Sequence, residues 1–425
     1  MPTVGSFPTS RQDIAGVSIA QLAQQFGTPT FVYDSAVIVE RIEDLKSFDL
    51  IRYAQKACSN IAILDLARRN GVVVDAVSAG EIHRALRAGY QGGTNAGGTH
   101  EIVYTADIFD QDALDLAVEH DIHVNCGSPD MIDQLGAVKR GAEITLRLNP
   151  GFGHGHSQKT NTGGQQSKHG IWYEQIEDCK QRAANHGITI TGLHMHIGSG
   201  TDLEHLAQVC GAMEQAVREV GNTITTISAG GGLPVPYNAG QSYVDLDKYF
   251  TLWDQSRKKL EAELGSSIKL EIEPGRYLSA ESGNLVTEIR AVKKMGENTF
   301  YLVDAGFNNL ARPIMYGSYH PISVVAANDS AREDVEVVVG GPLCESGDIF
   351  TQEEGGFVSK RSLPQAKVGE YLVLECAGAY GSVMGSNYNS KPLAAEVMIV
   401  DGQAHLIRER QSYDDLMRGE RLLDS

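Results

Sequence analysis

The sequence predicts a TIM-like (β/α)8 barrel followed by an all-β domain, and two observations carry this prediction. Eight short apolar runs lie within residues 48–276, and most are separated by a segment whose apolar residues have helical spacing. This alternation matches a parallel (β/α)8 barrel in both period and length. After Gly283 the apolar runs are short and β-type with little helix between them, which is typical of an all-β domain.

The barrel strands and helices follow in order along the chain. The predicted strands are Leu50–Ala57, Val72–Ser78, Ile102–Ala106, Ile122–Asn125, Ile144–Leu148, Ile190–Ile197, Thr223–Ala229 and Ile268–Ile272. The predicted helices are Ile61–Asn70, Ile82–Ala88 (opened by the capping-box pattern of Ser78 and Glu81), Asp112–His120, Ser128–Leu135, Ile176–His186, Leu203–Val220 and Leu246–Leu264. A doubly wound open sheet is the structural alternative, but it would favour an early GxGxxG, which is missing.

The second domain is predicted from six β-type runs separated by Gly, Pro and charged turns. They are Leu285–Val292, Thr299–Val303, Val335–Gly340, Tyr371–Leu374, Glu396–Val400 and Ala404–Ile407. The run Thr30–Tyr33 comes too early for the barrel count and is a candidate member of this second domain. The domain boundaries predicted from these patterns place residues 31–280 in the barrel and residues 1–30 with 281–425 in the β-domain.

Composition restricts the compartment and the partners of the chain. Its 425 residues carry a net charge of −18, which argues against non-specific binding to nucleic acids or anionic membranes. The six cysteines are scattered without a CxxC motif, which is typical of free thiols in a reducing compartment. The first residues contain no apolar signal segment, and no run is long and apolar enough to span a bilayer. We therefore expect a cytoplasmic protein.

Polar residues follow the predicted strands, at the end of a barrel where enzymes of this architecture place their chemistry. The first strand ends in Lys56, and a lysine there has two interpretations. It either extends its amine to the surface or forms a Schiff base with an aldehyde cofactor. The other strand-end residues are Asp75, Ser78, Arg147, His194, His196, Ser199, Gly230, Gly231, Gly232, Glu271, Glu273 and Arg276.

Each of these signals alone allows more than one interpretation. Three consecutive glycines either bind an anion through backbone N–H groups or form a tight turn. Glu271 and Glu273 share one face of their strand, where a protonated pyridine nitrogen or Arg276 would partner a buried carboxylate. His194 and His196 fit a metal site, a ring stacked on a cofactor, or hydrogen-bonded core histidines. Taken together, lysine, glycines, glutamate and imidazole describe a pyridoxal phosphate site, in which the protonated ring accepts electrons.

The chain resembles the fold-type III pyridoxal phosphate enzymes, whose fold is shared by alanine racemase and ornithine decarboxylase. It is most similar to the diaminopimelate decarboxylase family in its shorter Gram-negative form. The resemblance covers nearly the whole chain and rests on seven motifs in order, which are Ala54–Cys58, His194–Ser199, Ala229–Gly232, Glu273–Arg276, Arg312–Tyr316, Cys344–Asp348 and Gly378–Gly381.

The resemblance implies roles for individual residues. Lys56 would link the cofactor, His196 would stack on its ring and Glu273 would bond its pyridine nitrogen. The other cofactor-binding residues would be Asp75, Arg147, Ser199, Gly230, Gly231, Gly232, Gly275, Arg276 and Tyr380. Arg276, Arg312, Tyr316, Glu345 and Tyr380 would bind the substrate. Cys344 and Glu345 would enter the active site of a partner subunit, so that the enzyme would be a homodimer with shared sites.

The implied reaction is decarboxylation of meso-2,6-diaminopimelate to L-lysine and CO2, with Cys344 or a water that it positions returning a proton. The nearest rivals are decarboxylases of ornithine, lysine, arginine or carboxynorspermidine, for which an arginine in Arg312-Pro313 is less expected. A barrel racemase, a non-catalytic cofactor carrier and a metal hydrolase are the remaining alternatives. Two positions depart from much of the family, namely Cys58 in place of Asn and His169 in place of Phe. The glycine-rich segment Gly151–Gly164 is expected to form a lid over the substrate.

Overall fold

The computed structural model describes residues 7–152, 163–196, 202–327 and 332–423. Within them the chain forms two compact units. The first comprises Val39–Pro234 and Tyr243–Leu278, and the second comprises the chain up to Ile38, the segment Val235–Ser242 and the chain from Ser279 onward. The first unit is a closed eight-stranded parallel barrel and the second is built on a separate sheet, so the predicted fold class is confirmed.

The strands, in chain order, are β1 (Asp13–Ile14), β2 (Val17–Ser18), β3 (Thr30–Asp34), β4 (Leu50–Ala54), β5 (Val73–Ala76), β6 (Ile102–Ala106), β7 (His123–Cys126), β8 (Glu143–Asn149), β9 (Ile171–Trp172), β10 (Thr189–Met195), β11 (Thr226–Ser228), β12 (Lys269–Ile272), β13 (Gly283–Met295), β14 (Asn298–Val303), β15 (Ile322–Val325), β16 (Asp334–Gly340), β17 (Arg361–Pro364), β18 (Tyr371–Leu374), β19 (Ala395–Val400) and β20 (Gln403–Arg408).

The α-helices are α1 (Ile19–Phe26), α2 (Ser35–Glu43), α3 (Ile61–Arg69), α4 (Ala79–Arg87), α5 (Gln111–Glu119), α6 (Pro129–Val138), α7 (Ile176–His186), α8 (Leu203–Val220), α9 (Leu246–Leu264), α10 (Arg276–Ser279), α11 (Arg312–Tyr316) and α12 (Tyr413–Leu416). The bounds of α7, α8 and α9 are those predicted from their apolar spacing. Among the described residues, no helix has both the length and the apolar character needed to cross a membrane.

The capping box predicted at the start of α4 forms only in part. The Ser78 hydroxyl accepts a hydrogen bond from the Glu81 N–H at 3.2 Å, as a helix N-cap requires. The Glu81 carboxylate, however, accepts from the N–H of Val77 at 2.8 Å rather than from the N–H of Ser78. The Glu81 carboxylate is thereby tied to the segment that follows β5, close to the carboxyl end of the barrel.

The barrel closes because β10 pairs with both β8 and β11. The order of neighbouring strands is β4, β5, β6, β7, β8, β10, β11 and β12, with β12 returning to β4 through the pairing of Glu271 with Leu50. All of these pairs are parallel, so the carboxyl ends of the strands share one rim. This topology gathers the polar strand-end residues on that rim.

The second unit is organised around β13, which pairs antiparallel with β14, β18 and β3. The early run Thr30–Tyr33 is therefore part of this sheet, as β3, and it also pairs in parallel with β19. Two strands of this sheet, β15 and β17, were absent from the sequence prediction, as were the two-residue strands β1, β2 and β9. Each of β15 and β17 has only four residues, and β17 contains a proline and no alternating pattern. The core of this unit contains Ile19, Val32, Val286, Val373, Val397 and neighbouring aliphatic side chains.

Candidate active site

Lys56 lies immediately after β4 in the single-turn helix Gln55–Ala57. Gln55 and Ala57 are fully buried, whereas the side chain of Lys56 is exposed. The Gln55 amide donates to the backbone oxygens of Asp75 and Glu81, both at 3.2 Å, and the Tyr53 hydroxyl donates to the Cys58 carbonyl at 2.9 Å. The backbone around Lys56 is thus fixed on both sides while its amine projects from the rim. Because the Lys56 side chain is exposed, its ammonium group carries no cost of burying a charge.

The chain packs tightly around the turn that carries Lys56, as the surroundings of Cys58 and Gly275 show. Cys58, one of the two departures from the family pattern, is fully buried as a free thiol. A Cβ at Gly275 would lie 3.1 Å from the Ala54 carbonyl oxygen and 3.2 Å from the Ala57 Cβ. Since the Ala54 N–H also donates to the Pro274 carbonyl at 3.0 Å, the end of β12 runs directly against the turn that carries Lys56.

Glu273 follows β12 and is a buried carboxylate with two close partners. The Ser228 hydroxyl donates to Glu273 Oε1 at 2.7 Å, and His194 Nε2 lies 3.0 Å from Glu273 Oε2. Burial raises the pKa of Glu273, but the charge and hydrogen bond of His194, the Ser228 hydroxyl and the charge of Arg52 lower it below the ordinary value. Glu273 is therefore an ionised carboxylate at the rim of the barrel.

The pKa of Asp75, at the carboxyl end of β5, is shifted in the opposite direction. Burial, followed by the negative charge of Glu273, raises its pKa to about 8, against the lowering effect of the Thr105 hydroxyl and of Lys56. Two carboxyl groups whose environments separate their pKa values in this way take different protonation states at neutral pH. The surroundings in the barrel therefore favour the ionised form of Glu273 and the protonated form of Asp75.

His196 is a neutral imidazole held by the glycine turn. Its Nδ1 accepts a hydrogen bond from the Gly231 N–H at 2.8 Å, so Nδ1 carries no proton. Burial, followed by the charges of Lys56 and Arg147, lowers the pKa of His196 well below the ordinary histidine value. A Cβ at Gly231 would lie 2.4 Å from the Glu273 carbonyl oxygen and 3.2 Å from His196 Cε1. Glycine at this position allows the turn, the imidazole and the glutamate strand to come together.

The three glycines of the turn, Gly230, Gly231 and Gly232, differ in their φ angles and in the hydrogen bonds of their N–H groups. Gly230 and Gly232 have positive φ angles of 62° and 95°, which favour glycine. The Gly230 N–H donates to Ser228 Oγ at 3.1 Å, and that of Gly231 is used by His196. These contacts leave Gly232 as the glycine of the turn best suited to an anion.

The metal interpretation of His194 and His196 finds no support in the described part of the chain. No group of three or more His, Cys, Asp or Glu side chains is placed there to hold a metal ion. The two imidazole rings lie 6.4 Å apart between centroids, and their nearest described partners are Glu273 and the Gly231 N–H. Ser199 and the central part of the predicted lid, residues 153–162, lie outside the described residues.

The remaining barrel residues of the prediction are Arg147 and Arg276. Arg147 is buried on β8, and Arg276 begins the short helix α10 and is half-buried. His169, the second departure from the family pattern, bonds Asp107 through Nδ1 at 2.8 Å. Burial raises the pKa of Asp107, but the bonds from His169 and the Gly170 N–H and the charge of Arg147 bring it below the ordinary value. The histidine at position 169 therefore has a carboxylate, that of Asp107, as its hydrogen-bond partner.

In the second unit, Arg312 begins α11 and its side chain is buried. Its Nη1 donates to the Tyr237 hydroxyl at 3.1 Å and lies 3.0 Å from His320 Nε2. Tyr316, at the end of the same helix, is half-buried. A Cβ at Gly317, whose φ is 61°, would lie 2.1 Å from the Glu354 nitrogen, so the helix can end here only at a glycine.

Cys344 and Glu345 lie in an exposed turn that Asp348 organises. The buried Asp348 carboxylate accepts from the N–H groups of Leu343 at 2.8 Å and Phe307 at 2.7 Å. The Cys344 N–H donates to Asn389 Oδ1 at 2.7 Å. Asp348, quoted in the sequence only as part of a motif, thus holds the shape of the turn that presents Cys344 and Glu345.

Tyr380 has a positive φ of 57°, which is strained for a tyrosine. The chain around it is tightly determined, because a Cβ at Gly378 would lie 1.9 Å from the Ser279 carbonyl oxygen. Ser382, two residues later, joins a buried cluster in which the Tyr33 hydroxyl and Ser382 Oγ both donate to Glu396 Oε2, at 2.8 and 3.1 Å. Strain that is maintained by such packing is typical of functional positions.

Sequence reasoning missed several residues that shape these sites. Ser228, Arg52 and the glutamate-directed contact of His194 in the barrel, and His320, Tyr237 and Asn389 in the second unit, were not singled out for these contacts. Ser228 is a buried hydroxyl directly before the glycine turn, and that position was the available signal. The contacts of His320 and Asn389 join residues 8 and 45 positions apart, for which no local pattern exists.

Comparison with known proteins gives consistent matches. The family model for the pyridoxal binding domain of pyridoxal-dependent decarboxylases matches residues 36–280. The diaminopimelate decarboxylase of Escherichia coli strain K12 is 54% identical over 413 residues, which cover 96% of this chain and 98% of that protein.

Solved structures give the same result. A crystal structure of a diaminopimelate decarboxylase has a TM-score of 0.93 and 53% identity, covering 97% of this chain and 98% of that one. The enzyme of this name from Helicobacter pylori, solved in complex with L-lysine, has a TM-score of 0.82 and 28% identity, covering 94% of this chain and 98% of that one.

Proposed function

The chain belongs to the diaminopimelate decarboxylase family of pyridoxal-dependent decarboxylases, and we propose the roles that its residues take in this reaction. The enzyme removes CO2 from meso-2,6-diaminopimelate and releases L-lysine, the last step of bacterial lysine synthesis. The observation that carries the assignment of roles is the set of polar contacts on the barrel rim. Glu273 is bonded by the Ser228 hydroxyl and His196 by the Gly231 N–H, and these two residues and the exposed Lys56 lie at the carboxyl ends of β12, β10 and β4.

These residues fit pyridoxal phosphate in chemistry as well as in number. The Lys56 amine suits an aldehyde, and an ionised carboxylate suits a protonated pyridine nitrogen. The imidazole of His196 is locked by the Gly231 N–H and is neutral, which suits stacking against a flat ring. Gly232, with Ser199, Arg276 and Tyr380, supplies backbone and side-chain donors for a phosphate. Asp75, Arg147, Gly230, Gly231 and Gly275 complete the proposed cofactor-binding set.

Bound pyridoxal phosphate supplies a ring that accepts the electron pair left behind when CO2 departs. Lys56 would hold the aldehyde carbon of the cofactor through its amine. Glu273 would keep a proton at the ring nitrogen, because the Ser228 hydroxyl and His194 favour the ionised form of its carboxylate. The raised pKa of Asp75 disfavours a second negative charge beside Lys56. Cys344, or a water that it positions, returns a proton to the carbon that lost CO2.

The stereochemistry of the reaction identifies the carboxylate that must be held. The product is L-lysine, so the carboxylate lost is that of the D centre and the L centre keeps its own. Arg312 offers this retained carboxylate a planar fork, and Tyr316 and Arg276 offer further donors. Glu345 offers an anion to the ammonium group at the same end. The H. pylori enzyme was solved in complex with L-lysine, which carries both of these groups.

The assay that tests the function uses three substrates with the purified holoenzyme. We expect CO2 and L-lysine in equal amounts from meso-diaminopimelate. LL-diaminopimelate has no D centre and L-ornithine has no distal carboxylate, so both are expected to react poorly. Faster release of CO2 from L-ornithine than from meso-diaminopimelate would transfer the chain to the rival diamine-forming decarboxylases.

A homodimer with shared active sites is the second part of the proposal. The turn carrying Cys344 and Glu345 is exposed, as a segment that enters a partner subunit would be before assembly. Lys56→Ala and Cys344→Ala subunits are each expected to be inactive alone. When the two are mixed and allowed to exchange, hybrid dimers would contain one intact site, and activity would recover. A mixture that stays inactive, although native mass spectrometry of differently tagged subunits shows hybrid dimers, would exclude shared sites.

We further propose that the protein functions in the cytoplasm. All six cysteines are free, and Cys344 is exposed at a position proposed to act in the reaction. A reducing compartment would keep this thiol available. Cell fractionation, followed by immunodetection with a cytoplasmic marker, would test the location.

A further inference from the structure

Arg312 is held by neutral groups on two sides. Its side chain is 7% exposed, and Nη1 points at both the Tyr237 hydroxyl and the His320 ring nitrogen. The guanidinium carbon also lies 5.1 Å from the centre of the Tyr237 ring, within the range of a cation–π contact. These contacts use one nitrogen and one face of the guanidinium, and they determine the direction in which the fork points.

The hydrogen bonds of His320 determine its tautomer. Nδ1 lies 3.0 Å from the carbonyl oxygen of Glu375, which can only accept, so Nδ1 carries the proton. Nε2 lies 3.0 Å from Arg312 Nη1, which can only donate, so Nε2 presents its lone pair. His320 is 2% exposed, and both of its nitrogens are occupied in the neutral form. A second proton on Nε2 would face the guanidinium and break this arrangement.

The sheet of the second unit holds His320 in place. His320 directly precedes Pro321 and β15, and β15 pairs antiparallel with β18 so that Ile322 lies opposite Leu374. The Glu375 N–H donates to the Pro321 carbonyl at 2.8 Å, which ties the two ends of this pair together. The imidazole therefore bonds the backbone at the end of the same ladder from which it projects. The position of the imidazole is therefore fixed by β15 and β18 rather than by α11, the helix that carries Arg312.

We infer that His320 is a positioning residue for substrate selection, whose Nε2 lone pair aims the Arg312 fork at the distal carboxylate. This inference rests on the proposed role of Arg312. A carboxylate at position 320 would also bond Arg312, but its negative charge would compete with the substrate. A neutral acceptor orients the guanidinium without neutralising it. His320 thereby favours ligands that carry the distal carboxylate over otherwise similar diamines that lack it.

Two amide substitutions separate the functions of the two ring nitrogens. In His320→Gln the amide reaches the region of Nε2 and can still accept from Arg312. In His320→Asn the shorter amide reaches only the region of Nδ1, so the bond to the Glu375 carbonyl is kept and the acceptor for Arg312 is lost. The two side chains are chemically alike, so each serves as the control for the other.

The test measures binding of two amine ligands, neither of which the enzyme decarboxylates, to the holoenzyme by calorimetry. L-lysine keeps the distal carboxylate, and 1,5-diaminopentane is the same diamine without it. We expect His320→Asn to weaken L-lysine binding about tenfold, the effect of one hydrogen bond to a charged group, and to leave 1,5-diaminopentane unchanged. His320→Gln should stay within about threefold of the wild type for both ligands. In turnover, His320→Asn should raise KM for diaminopimelate about tenfold while kcat changes little.

Four results would overturn the inference. Equal loss of both ligands in His320→Asn would indicate general damage to the site, and equal behaviour of the Asn and Gln variants would exclude the Nε2 lone pair. Arg312→Lys is the reference. If it weakens L-lysine selectively while His320→Asn does not, the role of His320 alone is wrong. If Arg312→Lys leaves the preference for L-lysine over 1,5-diaminopentane intact, the proposed role of Arg312 fails and the inference fails with it.

Discussion

The barrel rim and the surroundings of Arg312 each contain a buried charged side chain, but their neighbouring residues act on that charge in different ways. On the rim, the Glu273 carboxylate is surrounded by groups whose charge or hydrogen bonds lower its pKa, and Asp75 nearby is pushed towards the protonated form. In the second unit, the Arg312 guanidinium contacts a tyrosine hydroxyl, a tyrosine ring and a neutral imidazole. The contacts on the rim determine the protonation states of Glu273 and Asp75, whereas the contacts of Arg312 determine the direction in which its guanidinium points.

The difference follows from the chemistry of the two groups. A carboxylate can take up a proton, so its neighbours decide whether it is charged at neutral pH. A guanidinium keeps its proton in proteins, so its neighbours can only orient it. Substitutions on the rim should therefore change the chemical step and the pH dependence, while substitutions around Arg312 should change affinity for the substrate.

The largest effect is expected from Lys56→Ala. Without this amine the cofactor has no covalent attachment, so visible absorbance from a lysine-bound cofactor, trapping by borohydride and decarboxylation should all be lost. Lys269→Ala is the matched control, because Lys269 is an exposed lysine at the opposite end of a barrel strand. A Lys56→Ala protein that still yields a borohydride-reduced lysine adduct would show that another lysine carries the cofactor.

Glu273→Gln should lower kcat by about a hundredfold or more with the cofactor still bound. The amide keeps the shape of the side chain but cannot hold a proton at the ring nitrogen through an anionic partner. Glu263→Gln, on the exposed side of α9, controls for the loss of one carboxylate. Stopped-flow absorbance would separate the chemical step from substrate binding. A variant with normal kcat and raised KM would contradict the role given to Glu273.

Arg312→Lys should raise KM for diaminopimelate by roughly thirtyfold, with cofactor content unchanged and kcat little affected. Lysine keeps the positive charge but loses the planar fork that a carboxylate binds with two hydrogen bonds. Arg290→Lys, an exposed position on β13, is the control. Steady-state kinetics check this outcome. A fall in kcat at constant KM would place Arg312 with the rim residues and remove the contrast between the two regions.

The smallest effect is a pH-dependent stability difference at Asp75 in the cofactor-free protein. Since its folded-state pKa of about 8 lies above the ordinary value of 3.8, the protonated carboxyl stabilises the fold most at low pH. This contribution is lost as the pH rises through about 8. The side chain of Asp75→Asn stays neutral at every pH. The Tm of this variant, relative to the Tm of the wild type, should therefore rise by roughly 2–4 °C from acidic to alkaline pH.

Differential scanning fluorimetry across this pH range measures the effect at Asp75. Asp65→Asn on α3, which removes a surface carboxylate paired with Arg68 and Arg69, should give a nearly constant offset. If the Tm curves of Asp75→Asn and the wild type run parallel, Asp75 is ionised in the folded protein and the separation of charge states on the rim is wrong.

Much of the architecture was predictable because it depends on local pattern. All eight barrel strands appear where apolar runs were recognised, and three barrel helices have the predicted bounds, because periodicity and capping are written in neighbouring residues. The strands β15 and β17 were missed because each is only four residues long and has a proline beside it or within it, Pro321 and Pro364. The capping box of Ser78 and Glu81 formed only in part, because the Glu81 carboxylate bonds the Val77 N–H instead of its expected partner.

The sequence by itself determined the fold class, the strand-end positions of Lys56, His196 and Glu273, and the family, since motif order and periodicity depend only on the chain. The tertiary structure decided which charges these residues carry. The ionised state of Glu273 depends on Ser228 and His194, which closure of the barrel brings from other strands. The tautomer of His320 likewise depends on a carbonyl 55 residues away, which only the pairing of β15 with β18 places within hydrogen-bond distance. Protonation and direction are set by neighbours in space, and pattern along the chain does not encode them.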